Sequence, residues 1–399
     1  MQQTVEPRLP MALTVAAGLI AIGVALASTM PYDAIVAIDH LKISHGDYAL
    51  ILTASSMVGV AASVSLGWLS DRIGDRRVLM LATGLLGAAG FGLMYWLRSP
   101  LAFVLVYCVL LPFGNTAFSQ AFAYARVFYD QRQPQVAEFR ITTLRSLYAI
   151  AWVVAPPLAG WIAAAYQLFD VYLMAALASL VFAGIALLML ADGGTKLAPR
   201  AQKGAAERTR AGIEVPMLVG LCGVLLIYVA LKLASTVTPL ALVANYQGTL
   251  GDVGLTNGIR ALLEVPLMFA WAVVGKRLRK HTLIATAGLI YGGYLIGMTQ
   301  VHSMFGVFLL QLPCAIGMAG LMSVPLAYMQ EAIRGRVGLS TSLLDVTMVI
   351  SGLLAAGLFG MLAGPQSYMQ LFWIAGGLAA AGAVVLVIAH DVVERWRPQ

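Results

Sequence analysis

The chain has 399 residues, of which 60% are hydrophobic and 11% are charged, and its formal net charge is +7. This composition, with a mean hydropathy of +0.85, excludes an ordinary soluble globular domain. The positive charge does not indicate a nucleic-acid partner, because the basic residues lie in short loops between apolar stretches.

Apolar stretches of about 20 residues recur along the chain, and this is the length that an α-helix needs to cross a bilayer. We predict twelve spans, at about residues 11–31, 48–69, 78–97, 101–125, 139–165, 170–191, 215–242, 253–275, 282–299, 303–331, 338–363 and 367–390. The predicted fold class is therefore an all-α membrane protein. The first stretch is expected to stay in the protein, because it is longer than the apolar core of a typical signal peptide and few basic residues precede it.

The basic residues outside the spans are divided unequally between the two sides of the membrane. If both termini lie in the cytoplasm, the outer loops contain only Lys42 and Arg98, and the remaining loop arginines and lysines fall on the cytoplasmic side. The positive-inside rule therefore predicts a multi-pass protein of the bacterial inner membrane with both termini cytoplasmic. We expect it to be monomeric.

A polar segment at residues 192–214 divides the predicted spans into two sets of six. It is too short and too polar to form a domain, so we predict a six-helix bundle at 1–191, a cytoplasmic linker at 192–214 and a second bundle at 215–399. The two halves resemble each other weakly, since the loop at 67–77 corresponds to residues 274–281. Two such repeats place a substrate site near the midplane between them.

A short basic loop, GWLSDRIGDRR, follows the second span at residues 67–77. It resembles the GxxxDRxGRR signature loop of the major facilitator superfamily, with Asp75 at a position that is usually basic. The resemblance implies close helix contact at Gly67 and an anion, Asp71, that faces the N-terminus of span eleven and stabilises one access state. The residues implied in this conformational loop are Gly67, Asp71, Arg72, Gly74 and Arg76.

Ionisable side chains inside spans are costly, at about 2.5–3.5 kcal/mol each on the insertion scale, and so each one needs an explanation. Those well inside the predicted spans are Arg145, Lys232, Arg260, Glu264 and Asp345, and Asp33 lies near the outer end of span one. Arg260 and Glu264 are four residues apart and able to pair on one helix face. Structural ion pairs that never change state are the alternative to a functional role.

A second set of polar and aromatic residues follows spans four and five at helical spacing. Its members are Asn115, Thr116, Gln120 and Tyr124 in span four, and Arg145, Tyr148 and Trp152 in span five. Amide, guanidinium and aromatic groups are those that bind a hydroxyl-rich ligand, through hydrogen bonds and through a flat ring against the sugar. The alternative is that the aromatic side chains serve only in packing.

Enzyme chemistry has no support in the sequence. The five histidines lie in loops or at span ends, without metal-ligand spacing, and no GxxxxGK phosphate loop occurs. We therefore expect no cofactor and no metal. Cys108, Cys222 and Cys314 fall in predicted spans and are interpreted as packing residues.

Three segments are similar to those of the bacterial sugar efflux transporter family. They are NTAFSQAFAYAR at 115–126, Arg145 followed by AWVVAPPLA at 151–159, and LEVP at 263–266. The resemblance implies proton-coupled export of small sugars or glycosides, with Asn115, Gln120, Arg145 and Glu264 at or near the pathway. Val237 departs from the family, which has an aspartate there.

Lys232 and Arg260 also depart from the family, at positions where uncharged residues are expected. They face an anionic ligand or pair with Glu264 and Asp345, and the second interpretation is preferred. The prediction is a proton-coupled sugar exporter that works by alternating access, with Glu264 as proton carrier and Asp345, then Asp33, as the next candidates. The alternatives are a multidrug antiporter, an exporter of an anionic metabolite if the two cations are unpaired, and a sensor that does not transport.

Overall fold

The computed structural model describes residues 10–197, 215–332, 337–364 and 366–396. Within these ranges, twelve helices are long and apolar enough to cross a membrane. Spans one to twelve are Met11–Thr29, His45–Ile73, Arg76–Leu97, Pro100–Arg132, Ala137–Ala165, Asp170–Ala191, Val215–Ala244, Leu250–Val274, Lys280–Met298, Met304–Ala332, Val337–Leu362 and Tyr368–Trp396. The predicted number of spans and the all-α fold class are confirmed.

The described residues pack as two compact units. One contains residues 10–43 and 54–197, and the other contains residues 44–53 and the described residues from 215 onward. In the first unit, span three packs along span six, and span one packs along spans five and six. In the second unit, span twelve packs along spans seven and nine, and span ten packs along spans eight and nine. The linker predicted at 192–214 is described only as far as residue 197.

Glycine allows the closest of these helix contacts. A Cβ at Gly84 of span three would lie 2.8 Å from the Phe182 ring of span six. A Cβ at Gly288 of span nine would lie 2.8 Å from Ile227 of span seven. Small residues allow helices in a membrane to approach closely, where packing rather than the hydrophobic effect drives association.

Local sequence signals set the ends of several spans. Ser99 caps span four by accepting from Ala102 N, with Pro100 at the first helical position. Thr249 and Asp252 form a reciprocal capping box at the start of span eight. Gly74 directly follows span two and has a φ of +70°, a left-handed conformation that glycine adopts without strain.

Span four is not one continuous α-helix, although the sequence predicted a single apolar stretch. An α-helix at Pro100–Leu105 is followed by a π-helix at Val106–Leu110 and a short α-helix at Leu111–Gly114. A turn at residues 115–116 then precedes the helix Ala117–Arg132. Irregular backbone at membrane depth is tolerated where it lies against protein or lines a water-filled cavity.

Candidate functional site

The turn in span four presents two of the predicted polar residues. Asn115 lies in the turn and is exposed, whereas Gln120 is only 5% exposed. The Gln120 Oε1 is buried and accepts no hydrogen bond from any described residue. Thr116 is satisfied locally, because its hydroxyl donates to the Phe113 carbonyl at 2.6 Å.

Aromatic rings from span four pack against the predicted stripe of span five. The Tyr148 ring lies 4.6 Å from Phe118 and 6.3 Å from Phe122, measured between ring centroids. Trp152 lies near enough to the Tyr148 hydroxyl to interact with it electrostatically. Arg145 is exposed and forms no hydrogen bond or ion pair with another described residue. Spans four and five therefore pack together through aromatic rings, and the same two spans carry the amides of Asn115 and Gln120 and the exposed Arg145 guanidinium.

Tyr124 has a different environment from the other candidates of span four. Its ring is buried and stacks on Phe128, and its hydroxyl donates to the Thr195 carbonyl at 2.7 Å. This hydroxyl therefore binds the chain that follows span six.

The loop after span two is held by a pair of residues that sequence analysis did not single out. Asp75 caps span three and forms a 2.7 Å ion pair with Arg77, which keeps the pKa of Asp75 below its ordinary value. Arg77 is 4% exposed and donates to the carbonyls of Met189 and Asp192 at 2.8 and 3.1 Å, and to the Thr195 hydroxyl at 2.7 Å. In the sequence, the Arg76-Arg77 pair indicated only positive charge, because the partners of Arg77 lie more than a hundred residues away.

The other loop residues are placed only in part. The Arg72 guanidinium lies 5.2 Å from the Trp68 ring centroid, and Arg76 begins span three. No described atom lies within 4 Å of a Cβ built at Gly67, so the expected close contact is not found within the described ranges. The Asp71 side chain lies outside the described residues.

Glu264 and Arg260 lie partly buried on span eight of the second unit. They interact electrostatically, but no ion pair within 4.0 Å joins them. The Arg260 Nε is buried and has no hydrogen-bond partner among the described residues. Its charge also acts on Tyr291 and Cys314, which lie on spans nine and ten.

The preferred pairing of the additional cations with Glu264 and Asp345 is not found in this structure. Lys232 is partly buried and Asp345 is exposed, and neither forms an ion pair with any described residue. Among the described residues, no carboxylate acts electrostatically on the Lys232 ammonium group. The residues lie on separate spans, and helical spacing within one span could not determine which of them meet.

Asp33 lies between spans one and two, in a short helix at Asp33–Ile35. Its carboxylate accepts hydrogen bonds from the hydroxyls of Tyr107 and Tyr172. Among the described residues, no group of three or more His, Cys, Asp or Glu side chains is arranged to hold a metal ion.

Comparison with known proteins shows similarity to bacterial transporters. Sugar efflux transporter B of Salmonella typhimurium is 28% identical over 370 residues, which cover 93% of each chain. Sugar efflux transporter C of Escherichia coli is also 28% identical, over 375 residues and 93% of each chain. These matches confirm the resemblance predicted from the three segments.

Solved structures share the fold. A crystal structure of the peptide transporter POT in complex with sulfate matches with a TM-score of 0.80 at 13% identity, covering 98% of this chain and 97% of the transporter. A mutant of the nucleoside transporter NupG matches with a TM-score of 0.76 at 10% identity, covering 95% and 99%. The family model of the major facilitator superfamily matches residues 10–219 and 220–399. The chain is therefore a multi-pass membrane transporter rather than an enzyme, and it belongs to the major facilitator superfamily.

Proposed function

We propose that this protein exports small sugars or glycosides across the bacterial inner membrane in exchange for protons, by alternating access of two six-helix bundles. The names of its relatives support sugar efflux. The observation that carries the proposal is the turn in span four. It presents the exposed Asn115 and precedes Gln120, whose Oε1 has no hydrogen-bond partner among the described residues, in a span whose Phe118 packs against Tyr148 of span five.

The chemistry of this region suits a hydroxyl-rich ligand. A buried acceptor without a partner costs about 1–3 kcal/mol, and a ligand hydroxyl that donates to Gln120 Oε1 would remove that cost. Tyr148 and Trp152 supply flat faces for the C–H side of a sugar ring. The exposed Arg145 supplies further donors.

Glu264 is the proposed proton carrier. An exchanger needs a group that is protonated in one access state and charged in the other. A carboxyl group in a span changes its proton affinity when a nearby cation approaches or withdraws. Arg260 lies one helical turn away without a fixed ion pair, so its guanidinium is free to make that change.

A second candidate function is export of an anionic metabolite, such as a sugar acid or a sugar phosphate. Lys232 and Arg260 favour it, because neither has a carboxylate partner within 4.0 Å among the described residues. A carboxylate or phosphate on the substrate would compensate a cation that is otherwise costly inside a span.

Counterflow in proteoliposomes separates these functions. Proteoliposomes that contain the purified protein are loaded with one unlabelled compound at a time, from a panel of neutral sugars, glycosides, sugar acids and lipophilic drugs. Exchange for the same compound in labelled form outside is then measured. Exchange of neutral sugars or glycosides supports the first proposal. Exchange of sugar acids alone supports the second, exchange of unrelated drugs supports a multidrug antiporter, and no exchange of any compound overturns all three.

Replacing Asn115 or Gln120 by Ala is expected to weaken substrate binding. Loss of one hydrogen bond costs about 0.5–1.5 kcal/mol, which corresponds to roughly 2- to 13-fold in affinity. The half-saturation concentration for counterflow measures this change. Ser119→Ala is a matched control, because the Ser119 hydroxyl already donates to the Thr116 carbonyl at 2.8 Å. Equal affinities in Asn115→Ala, Gln120→Ala and wild type would assign both residues to packing.

Asp71→Asn is expected to leave the protein folded and inserted but to slow alternation. We propose that the Asp71 carboxylate faces the N-terminus of span eleven in one access state, where helix-end N–H groups stabilise an anion. Cysteine-accessibility labelling on the two sides of the membrane measures the balance of states. An unchanged balance together with unchanged flux would contradict this role.

A further inference from the structure

Two hydroxyl groups from separate spans of the first unit converge on one carboxylate. The Tyr107 and Tyr172 hydroxyls both donate to Asp33 Oδ1, the second at 3.3 Å. The two hydroxyl oxygens lie 3.2 Å apart. Asp33 follows span one, Tyr107 belongs to the π-helix of span four, and Tyr172 lies at the start of span six.

The surroundings of this cluster are aromatic. The Phe103 ring stacks on Tyr107 at a centroid distance of 4.0 Å, and Phe91 stacks on Tyr172 at 6.5 Å. Asp33 itself is partly buried. The carboxylate therefore lies beside an apolar, aromatic wall, with the two tyrosine hydroxyls as its hydrogen-bond donors.

No cation neutralises Asp33 within the described part of the chain. Directly after span three, the Arg98 guanidinium donates to the Gln167 side chain at 2.6 Å and lies over the Phe169 ring. On the segment of Asp33 itself, the His40 ring meets the edge of Phe169. The side chains that act on Asp33 are Tyr107 of span four and Tyr172 of span six.

The two tyrosine hydroxyls are neutral donors, so they do not cancel the negative charge of the Asp33 carboxylate. Binding of a proton would neutralise it. Asp33 lies outside spans one and two, and burial raises the pKa of its carboxyl from 3.8 to about 7, against the opposing hydrogen bonds from Tyr107 and Tyr172. At pH values above this range the carboxylate is held by the two hydroxyls. At lower pH it takes one proton from water and becomes neutral.

The backbone at the cluster contains two π-helical segments. Val36–His40 and Val106–Leu110 are π-helices, and the first is closed by a 2.8 Å bond from Leu41 N to the Val36 carbonyl. Such segments contain one more residue than an α-helical turn and are frequent at functional sites. A one-residue shift to α-helical bonding would rotate Tyr107 by about 100° and take its hydroxyl away from Asp33.

We propose that Asp33, Tyr107 and Tyr172 form a proton-binding site separate from Glu264, and that the π-helix of span four links its occupancy to the turn at Asn115. The link to transport rests on the proposed function. Tyr107 and Asn115 lie on the same span, eight residues apart, so a shift of the π-helix displaces the turn that carries Asn115. Protonation of Asp33 removes the acceptor charge that holds Tyr107 in its present position.

The site is tested by modification of the purified protein with dicyclohexylcarbodiimide, which reacts with protonated carboxyl groups in apolar surroundings. Peptide mass spectrometry measures modification of Asp33 as a function of pH, and no substrate is needed. Modification is expected to rise as the pH falls through neutrality. Tyr107→Phe removes a hydrogen-bond donor to the ionised form of Asp33. The pH at which modification is half-maximal is therefore expected to rise by about one unit in this variant.

Tyr32→Phe is the matched control. Tyr32 precedes Asp33, but its hydroxyl donates to the Pro156 carbonyl at 3.3 Å and is not among the groups that act on Asp33. In Tyr32→Phe, the pH midpoint of Asp33 modification is expected to equal that of wild type. An unmodified Asp33 at every pH, or an equal midpoint in Tyr107→Phe and wild type, would overturn the site.

The link to transport is tested with Asp33→Asn in proteoliposomes, using the panel compound with the fastest counterflow as probe. Uphill transport driven by a pH gradient is expected to fall at least tenfold while counterflow persists. Undiminished uphill transport would overturn the link. If no panel compound exchanges, the proposed function and the link both fail, and the labelling result alone decides whether Asp33 is a proton-binding site.

Discussion

Glu264→Gln is expected to abolish uphill export driven by a pH gradient while downhill counterflow continues. Glutamine has nearly the same size and keeps the polar contacts, but it cannot bind and release a proton. Counterflow exchanges substrate for substrate and requires no net proton transfer, so it should survive. Concentration of labelled substrate against its gradient and counterflow are measured with the same preparation of proteoliposomes.

Asp252→Asn provides a control on the same span. Asp252 is part of the capping box at the start of span eight, where asparagine can still accept the hydrogen bond from Thr249 N. Its uphill transport should equal that of wild type. If Glu264→Gln concentrates substrate at the wild-type rate, the coupling role passes to Asp345, and Asp345→Asn becomes the decisive variant.

Arg77→Ala is expected to destabilise the first unit by about 3–5 kcal/mol, the usual cost of removing one partner of a buried ion pair. The guanidinium is 4% exposed, and its removal leaves Asp75 unpaired and the Met189 and Asp192 carbonyls without this donor. Intrinsic fluorescence in detergent measures the apparent unfolding temperature, which should fall by several degrees. Arg77→Lys keeps the charge but not the branched donors, so an intermediate loss is expected.

The effect of Arg77 should also depend on pH. Because the pKa of Asp75 is lowered in the folded state from 3.8, this pair stabilises the protein above that value. The stabilisation is lost as the pH falls through the lower, folded-state pKa. The difference between wild type and Arg77→Ala should therefore shrink in strong acid. Equal unfolding temperatures of wild type and Arg77→Ala at neutral pH would contradict the structural role of Arg77.

The helices could be predicted closely from sequence because each apolar stretch must match the bilayer thickness. Span six, for example, was predicted at 170–191 and is observed at Asp170–Ala191. The turn at Asn115 could not be predicted in this way, because residues 101–125 are apolar enough on average to form one predicted span, and hydropathy does not distinguish α-helical from π-helical bonding. Helical spacing therefore did not describe span four across the turn.

Contacts between distant parts of the chain also escaped sequence reasoning. Tyr124 was grouped with Gln120 because they are one turn apart, yet its hydroxyl binds Thr195, 71 residues away. Asp33 ranked third among the acids because it lies near the outer end of span one, where water was expected to reach it. Nothing in its neighbourhood in sequence indicates Tyr107 and Tyr172 as partners. Charge and spacing identify which residues need an explanation, and only the packing of helices determines which partners they meet.

The position of the Arg77 partners has a consequence for biogenesis. Arg77 is synthesised early, but the residues that accept its hydrogen bonds follow it in the chain by 112 to 118 residues. The first unit therefore cannot complete this cluster until Thr195 has left the ribosome. A fragment that ends at Ala191 contains span six but lacks Asp192 and Thr195, whereas one that ends at Lys196 contains every acceptor. For expression of the two halves as separate chains, the division belongs after Lys196.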